Sequence, residues 1–128
     1  MITGERVLKI TGERTKFEPI KNFKINVDIK KVTVKGEEIE LEYYYSVEYE
    51  TGVGNLEITG ILFAKEDKKL AKEIADLWKK EKKLPESYIG SIMRTVIYTG
   101  SANGTLLARV MNFSAPFVPP NIRVGGKE

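Results

Sequence analysis

The segment from Glu38 to Tyr49 constrains the fold of this chain more than any other part of the sequence. Its residues alternate strictly, and the apolar positions are Ile39, Leu41, Tyr43, Tyr45, Val47 and Tyr49. A period of two places one side of an extended strand in a core and the other side in water. The other side is mostly glutamate. The pattern therefore predicts a long β-strand with one buried face.

Alternating segments also lie on both sides of this strand. Residues 23–29 alternate, and the apolar positions change phase after Lys30-Lys31, which requires a β-bulge or a crossing of the strand from one face to the other. Residues 56–63 alternate as well, but residues 60–63 (GILF) are apolar on both faces, so we expect that end to be covered on both sides. Gly36 suits the first connecting turn because glycine readily adopts positive φ. Three long strands with short turns predict an antiparallel meander.

The amino-terminal region contains the pentapeptide ITGER twice, at residues 2–6 and 10–14. Two copies of five residues do not make a repeat architecture, which needs longer units and at least three of them. We interpret residues 5–11 as a short strand that extends the meander to a fourth strand. Pro19 marks the end of this region because proline cannot donate a ladder hydrogen bond.

After residue 65 the period changes to that of a helix. Apolar residues recur at helical spacing between residues 70 and 78, and Asp67 is a candidate N-cap for a helix of about 15 residues. Pro85 suits the start of a second helix, whose apolar face begins at Ile89. Residues 100–104 either break this helix as a loop or continue it, and we expect the helix to continue through them and to end near Asn112.

These elements predict one α+β domain over residues 1–128, with two helices packed on a sheet of three to four strands. The amino-terminal strand or arm occupies residues 1–20, the sheet 21–64, the helices 65–114 and a proline-rich tail 115–128. No apolar run approaches the about 20 residues that cross a bilayer, and the first residues do not resemble a signal peptide. We therefore expect a cytoplasmic protein without membrane insertion. Abundant Lys and Glu without Gln resemble the composition of heat-adapted proteins.

The sequence contains no His and no Cys. His is the usual general base and metal ligand at neutral pH, and Cys is the strongest ordinary nucleophile. Catalysis would need carboxylates, Lys, Tyr or a bound cofactor, and no phosphate-binding glycine loop, dinucleotide fingerprint or nucleophile elbow is present. We therefore expect a binding protein without a metal or other cofactor rather than an enzyme.

The charge pattern does not favour nucleic acid as a partner. The net charge is +3, and the eight lysines of residues 65–83 are interleaved with acids, which indicates a solvated helix face. The glutamates of residues 37–42 indicate a solvent-facing strand rather than a calcium site. A small nucleic-acid-associated module that uses this lysine helix with Arg94, Arg109 and Arg123 remains the alternative function.

Two motifs have more than one interpretation. Gly100, Gly104 and Ala108 are four residues apart, so they form a small-residue stripe that allows close approach of another element. The stripe packs either on the chain's own sheet or on a second subunit. Tyr43 and Tyr45 share the apolar face of their strand, and their large rings with polar tips suit either a core or a peptide-binding surface.

The strand end at residues 60–63, the long helix and the closing segment with Pro119 and Pro120 together resemble the SecB-like family of export chaperones. In that family a strand ending in a Gly-Ile-Phe type sequence leads to a long helix and a Pro-Pro-x-Leu type segment. The resemblance covers roughly residues 17–124. Bacterial members of the family are acidic, whereas this chain is slightly basic.

The resemblance implies a dimer or tetramer assembled through sheet edges and helices. It also implies apolar grooves that hold non-native polypeptides without ATP, and a link to protein export. The polypeptide-binding residues that it implies are Tyr43, Tyr45, Leu62, Phe63 and Phe117. The small-residue stripe would then contribute to the oligomer interface.

Overall fold

Four antiparallel strands and two helices make up the computed structural model, which describes residues 1–18, 22–113 and 115–116. The strands are β1 (Ile2–Arg14), β2 (Phe23–Lys35), β3 (Glu38–Tyr49) and β4 (Gly54–Lys65). The helices are α1 (Lys68–Glu81) and α2 (Glu86–Met111), and a short 3-10 turn, Glu50–Gly52, connects β3 to β4. The predicted α+β class is confirmed.

The strand order in the sheet is β1-β4-β3-β2, and every neighbouring pair is antiparallel. Strands β2, β3 and β4 form the predicted meander, and β1 pairs with β4, so the sheet has Greek-key order. The sequence predicted a strand only at residues 5–11, whereas β1 spans thirteen residues. Pairing with β4 extends β1 through glycines and charged residues that show no clear alternation. Strands β1 and β2 are the two edges.

Local features of the meander agree with the residues that predict them. Gly36 and Gly52 adopt φ values of 64° and 71° in the two connections. The ladder between β2 and β3 shifts register between Ile29 and Lys31, where the apolar positions change phase. Positive φ carries little steric cost for glycine, so these turns can be tight.

Both helices pack on the same face of the sheet. The apolar side chains of β3 on this face are at most 2% exposed, and they form one core with Ala71 and Ile74 of α1 and with Ile92 and Val96 of α2. Ile61 and Phe63 point to the opposite, open face and are only half-buried. The expectation that residues 60–63 are covered on both sides is therefore wrong for the described chain, because neither helix reaches the open face.

Each helix begins where its local sequence predicts. The Asp67 side chain accepts a hydrogen bond from the Leu70 amide at 2.8 Å, which confirms the predicted N-cap. α1 ends at Lys82 in left-handed conformation. α2 begins after Pro85 and continues without interruption through residues 100–104, as predicted. Neither helix of the described chain has an apolar stretch long enough to cross a membrane.

Candidate polypeptide-binding surface

An apolar groove of about 290 Å³ opens to solvent where the β2 edge of the sheet meets both helices. We call it the β2 groove. It is lined by Val27, Asp28 and Ile29 of β2, Trp78 of α1, Lys82, Lys83 and Leu84 of the interhelical connection, and Ile89 and Met93 of α2.

The position of β2 at the edge of the sheet creates this groove. Val27 and Ile29 lie opposite Tyr45 and Tyr43, so they share the core face of the sheet. The two tyrosines are fully buried, whereas Val27 and Ile29 are half-buried because no further strand flanks them in the described chain. The facing side chain of Trp78 is also half-buried. The groove is therefore an open margin of the core.

The chemistry of the groove suits apolar side chains of varied shape. Its floor offers branched aliphatic groups, an indole ring and the flexible thioether of Met93, which adapts to irregular partners. Its volume is near the lower limit for small-molecule sites, which are commonly about 300–1,000 Å³ and enclose their ligand. An open groove of this size accommodates one or two side chains of a longer molecule.

The rim of the groove is positively charged. Lys82 and Lys83 are exposed, and the Lys82 ammonium lies 5.9 Å from the centroid of the Trp78 ring. Asp28 also lines the groove, but its carboxylate forms an ion pair with Lys30 at 3.0 Å. The rim therefore favours acidic groups next to an apolar side chain.

Three residues that the family resemblance assigns to polypeptide binding lie in the core. Tyr43, Tyr45 and Leu62 are at most 1% exposed. The Tyr43 hydroxyl donates a hydrogen bond to Glu5, and burial, reinforced by this carboxylate, raises the pKa of Tyr43 far above its usual range. Burial also raises the pKa of Tyr45, whose hydroxyl oxygen lies 3.3 Å from Ser101 Oγ. Direct contact with a bound polypeptide would require other side chains.

The remaining two assigned residues differ in position. Phe63 is half-buried on the open face, in a pocket of about 330 Å³ whose lining includes lysines and glutamates. The Arg6 guanidinium lies 5.9 Å from the centroid of its ring. Phe117 lies outside the described residues. The described members of the assigned set are therefore not brought together at one accessible surface.

The small-residue stripe of Gly100, Gly104 and Ala108 packs inside the chain. All three residues are buried. A Cβ atom at Gly100 would lie 2.3 Å from the Tyr45 ring, and one at Gly104 would lie 2.8 Å from Pro116. The stripe thus allows close approach within the chain, to the Tyr45 ring at Gly100 and to Pro116 at Gly104.

Sequence reasoning missed the β2 groove. Trp78 and Ile89 belong to predicted apolar helix faces, and the alternation of β2 assigns Val27 and Ile29 to the core. A periodic pattern identifies the face that is turned inward, but it does not show whether a neighbouring element covers that face completely. The signal that could have found the groove is the placement of β2 at a sheet edge.

A second apolar surface lies on the other side of the molecule. On β1, Val7, Leu8 and Ile10 are 41–51% exposed, and on α2, Tyr98, Leu106 and Val110 are 65–83% exposed. The two elements are in contact, since the Thr99 hydroxyl donates to Glu5 at 2.6 Å. Isolated exposed apolar residues are ordinary, but six on adjoining elements indicate an interaction surface.

Comparison with known proteins identifies no relative of this chain, because no family model, curated protein or solved structure matches it. Within residues 1–18, 22–113 and 115–116, no three acidic residues are grouped so that they could hold a metal ion. The function of this chain therefore has to be inferred from its own surfaces.

Proposed function

We propose that this protein holds non-native polypeptides without ATP, as the export chaperones that its sequence resembles are expected to do. The observation that carries the proposal is the β2 groove, an apolar margin of the core that opens to solvent beside Trp78. Unfolded chains expose the apolar side chains that such a groove can accept.

The size of the groove implies weak and tolerant binding at each site. Burial of one large apolar side chain contributes about 1.5–3 kcal/mol before the cost of ordering the polypeptide is subtracted. Useful affinity therefore requires that one polypeptide occupies several grooves, and an oligomer supplies them at high effective concentration. Subsites of this kind select apolar content rather than a particular sequence.

The binding itself can be followed through Trp78, the single tryptophan of the chain. Titration with an unstructured apolar peptide should shift the indole emission to shorter wavelength, because the peptide displaces water from the half-exposed ring. Peptides with acidic flanking residues should bind more tightly than the same peptides with basic flanks, because Lys82 and Lys83 form the rim. Unchanged emission at millimolar peptide would exclude the β2 groove as the binding site.

Function is tested by light scattering of an unrelated protein that aggregates on dilution from denaturant. The intact chain should suppress scattering at near-stoichiometric ratio and without nucleotide. Met93→Ser should weaken this protection, whereas Tyr98→Ser, a matched change on the other apolar surface, should preserve it. Scattering that stays unchanged in several-fold excess of the intact chain would falsify the holding function.

A further inference from the structure

We propose that residues 117–122 (FVPPNI), which follow the last described residue, Pro116, dock in the β2 groove of their own chain and compete there with a bound polypeptide. We call them the FVPPNI segment. Docking concerns the groove alone, whereas the competition rests on the proposed holding function and is a regulation of it. The segment is thus a tethered internal competitor.

The end of the described chain runs back along the core towards the groove. The chain reverses at the left-handed carboxyl end of α2. The buried Phe113 ring then stacks on Tyr49, with ring centroids 4.3 Å apart. Pro116 is also buried and adjoins Gly104, where a Cβ atom would lie 2.8 Å from Pro116 and 3.7 Å from Tyr45. Between these contacts the chain moves from Tyr49 to Tyr45, against the direction of α2.

Pro116 lies on the side of α2 that faces away from β1. Thr99 faces β1, because its hydroxyl donates to Glu5 at 2.6 Å. Gly104 follows five residues later, about 140° further around the helix. Met93, which lines the β2 groove, precedes Gly104 by eleven residues, about three full turns, so these two residues share a face. The route from Pro116 to the groove therefore follows one face of α2.

The FVPPNI segment is long enough for this route. Eleven residues of α-helix rise about 16 Å, and six extended residues span about 20 Å. The floor of the route is apolar, because Val27 of the groove lies directly opposite Tyr45, about 5 Å away across the ladder. Phe23 and Ile25 continue the same face of β2 and are half-buried.

The composition of the segment suits the groove. Phe117, Val118 and Ile122 are apolar, and the segment carries no charge. Pro119-Pro120 favours the polyproline II conformation, which docks on exposed aromatic rings with little further loss of conformational freedom. The half-buried indole of Trp78 offers such a ring. Because proline has no N–H to donate to the β2 edge, docking relies on side-chain contacts.

The covalent tether allows weak contacts to suffice. A short link holds the segment at a local concentration of about millimolar, so contacts of millimolar strength fill the groove for part of the time. A segment from a second copy reaches this concentration only in millimolar protein, which favours the chain's own groove. A polypeptide that occupies several grooves at once displaces the segment.

Cysteine pairs test the docking independently of function, because the chain has no thiol of its own. Val118→Cys with Lys83→Cys sets one thiol on the segment and the other on the rim. In the control, Val118→Cys with Lys69→Cys, the second thiol is equally exposed but lies near the start of α1, about 18 Å from the end of that helix. We expect a short bis-maleimide to join the first pair about tenfold faster than the control. Equal rates, or a product that joins two chains in mass spectrometry, would overturn the docking.

The side chains that dock are tested by the triple variant Phe117→Ser/Val118→Ser/Ile122→Ser. Its Trp78 emission should move to longer wavelength and its quenching by acrylamide should increase, because water reaches the indole. The control Arg123→Ser/Lys127→Ser changes the same region outside the segment and should leave both readings as in the parent. Parent-like emission and quenching in the triple variant would contradict the proposal.

Competition is measured with a dye-labelled apolar peptide by fluorescence anisotropy. The triple variant should bind the peptide about threefold more tightly than the parent, because the internal competitor is removed. Equal affinities would rule out the competition. A cross-link at Lys83 in a protein that neither binds peptide nor suppresses scattering would end the holding function and leave the docking in place. Suppressed scattering without the cross-link would do the reverse.

Discussion

Glycines decide where the large aromatic side chains of the core can lie. Gly60 lies directly opposite Tyr43, and a Cβ atom there would be 2.6 Å from the tyrosine hydroxyl oxygen. Gly100 has the same relation to Tyr45 across the interface between helix and sheet. The rings thus occupy the volume that side chains at these glycines would need.

Gly100→Ala should therefore destabilise the protein. Overpacking of a buried site costs about 1–3 kcal/mol, which exceeds the gain of about 1 kcal/mol in helix propensity. Gly90→Ala on the same helix is the matched control, because its Cβ would meet only Arg94, at an ordinary 3.5 Å. We expect Gly90→Ala to raise the urea midpoint and Gly100→Ala to lower it. Equal shifts in one direction would argue against the close contact with Tyr45.

Burial of tyrosines makes the stability of this protein sensitive to alkaline pH. Burial, with a further contribution from Tyr45, raises the pKa of Tyr49 to about 12. The pKa of Tyr43 is raised beyond that range. Between pH 10 and 12 the unfolded chain loses these protons while the folded chain keeps them. The free energy of unfolding should therefore fall as the pH rises above 10, by up to about 1.4 kcal/mol per pH unit for each such tyrosine.

Tyr49→Phe should make this decline less steep, because the variant lacks one of the groups that titrate only in the unfolded chain. Denaturant titrations at pH 8, 10 and 11 measure the slope. Tyr98→Phe, at a tyrosine that is 78% exposed, serves as the control. A decline as steep in Tyr49→Phe as in the parent would contradict the expected role of Tyr49.

At the scale of elements, α1 carries both a side-chain N-cap and a residue that lines the β2 groove. Its amino terminus is capped by Asp67, and its fully buried residues are Ala71 and Ile74. Near its carboxyl terminus it presents Trp78 to the β2 groove. A short helix with few buried residues depends strongly on its cap, so the integrity of the groove depends on Asp67.

Asp67→Ala should lower stability by about 0.5–2 kcal/mol, the usual cost of losing an N-cap. Asp67→Asn keeps an oxygen that can accept the Leu70 hydrogen bond, and it should recover most of the loss. Thermal unfolding compares the two variants with the parent. Asn and Ala variants of equal stability would indicate that the cap contributes little.

At the scale of the whole molecule, three surfaces differ in their position on the sheet and in their charge. The β2 groove is apolar with a basic rim, the β1 edge exposes Val7, Leu8 and Ile10 between charged residues, and the open face of the sheet is largely charged and polar. On that open face, lysines of β2 lie opposite glutamates of β3, as in Lys31 with Glu42 and Lys35 with Glu38. Such interleaving reduces the long-range positive field that attracts nucleic acids.

We therefore expect no tight binding to single-stranded RNA at physiological ionic strength. Fluorescence anisotropy over a salt series measures it, because phosphate contacts give a steep dependence on salt. Tight, salt-dependent binding that is lost when Lys79, Lys80, Lys82 and Lys83 are replaced by Glu would favour the nucleic-acid module over polypeptide holding.

Features that depend on residues close together in the chain could be predicted from the sequence alone. The alternation of β3 predicted its buried face, and Gly36 and Asp67 predicted a turn and a cap. The phase change at Lys30-Lys31 predicted a bulge or a crossing between faces, and the structure has a bulge there. Each of these depends on residues within a few positions of one another. Side-chain period and local hydrogen bonding therefore determine them before any distant segment is placed.

Only the tertiary structure decided which surfaces remain uncovered. Because β1 pairs with β4, β2 becomes an edge, and Val27, Ile29 and Trp78 line an open groove instead of a closed core. The same structure places Gly100 directly against the Tyr45 ring. Ladder partners are chosen through backbone groups that every residue shares, so the order of strands, and with it the exposure of each apolar face, is not encoded in side-chain period.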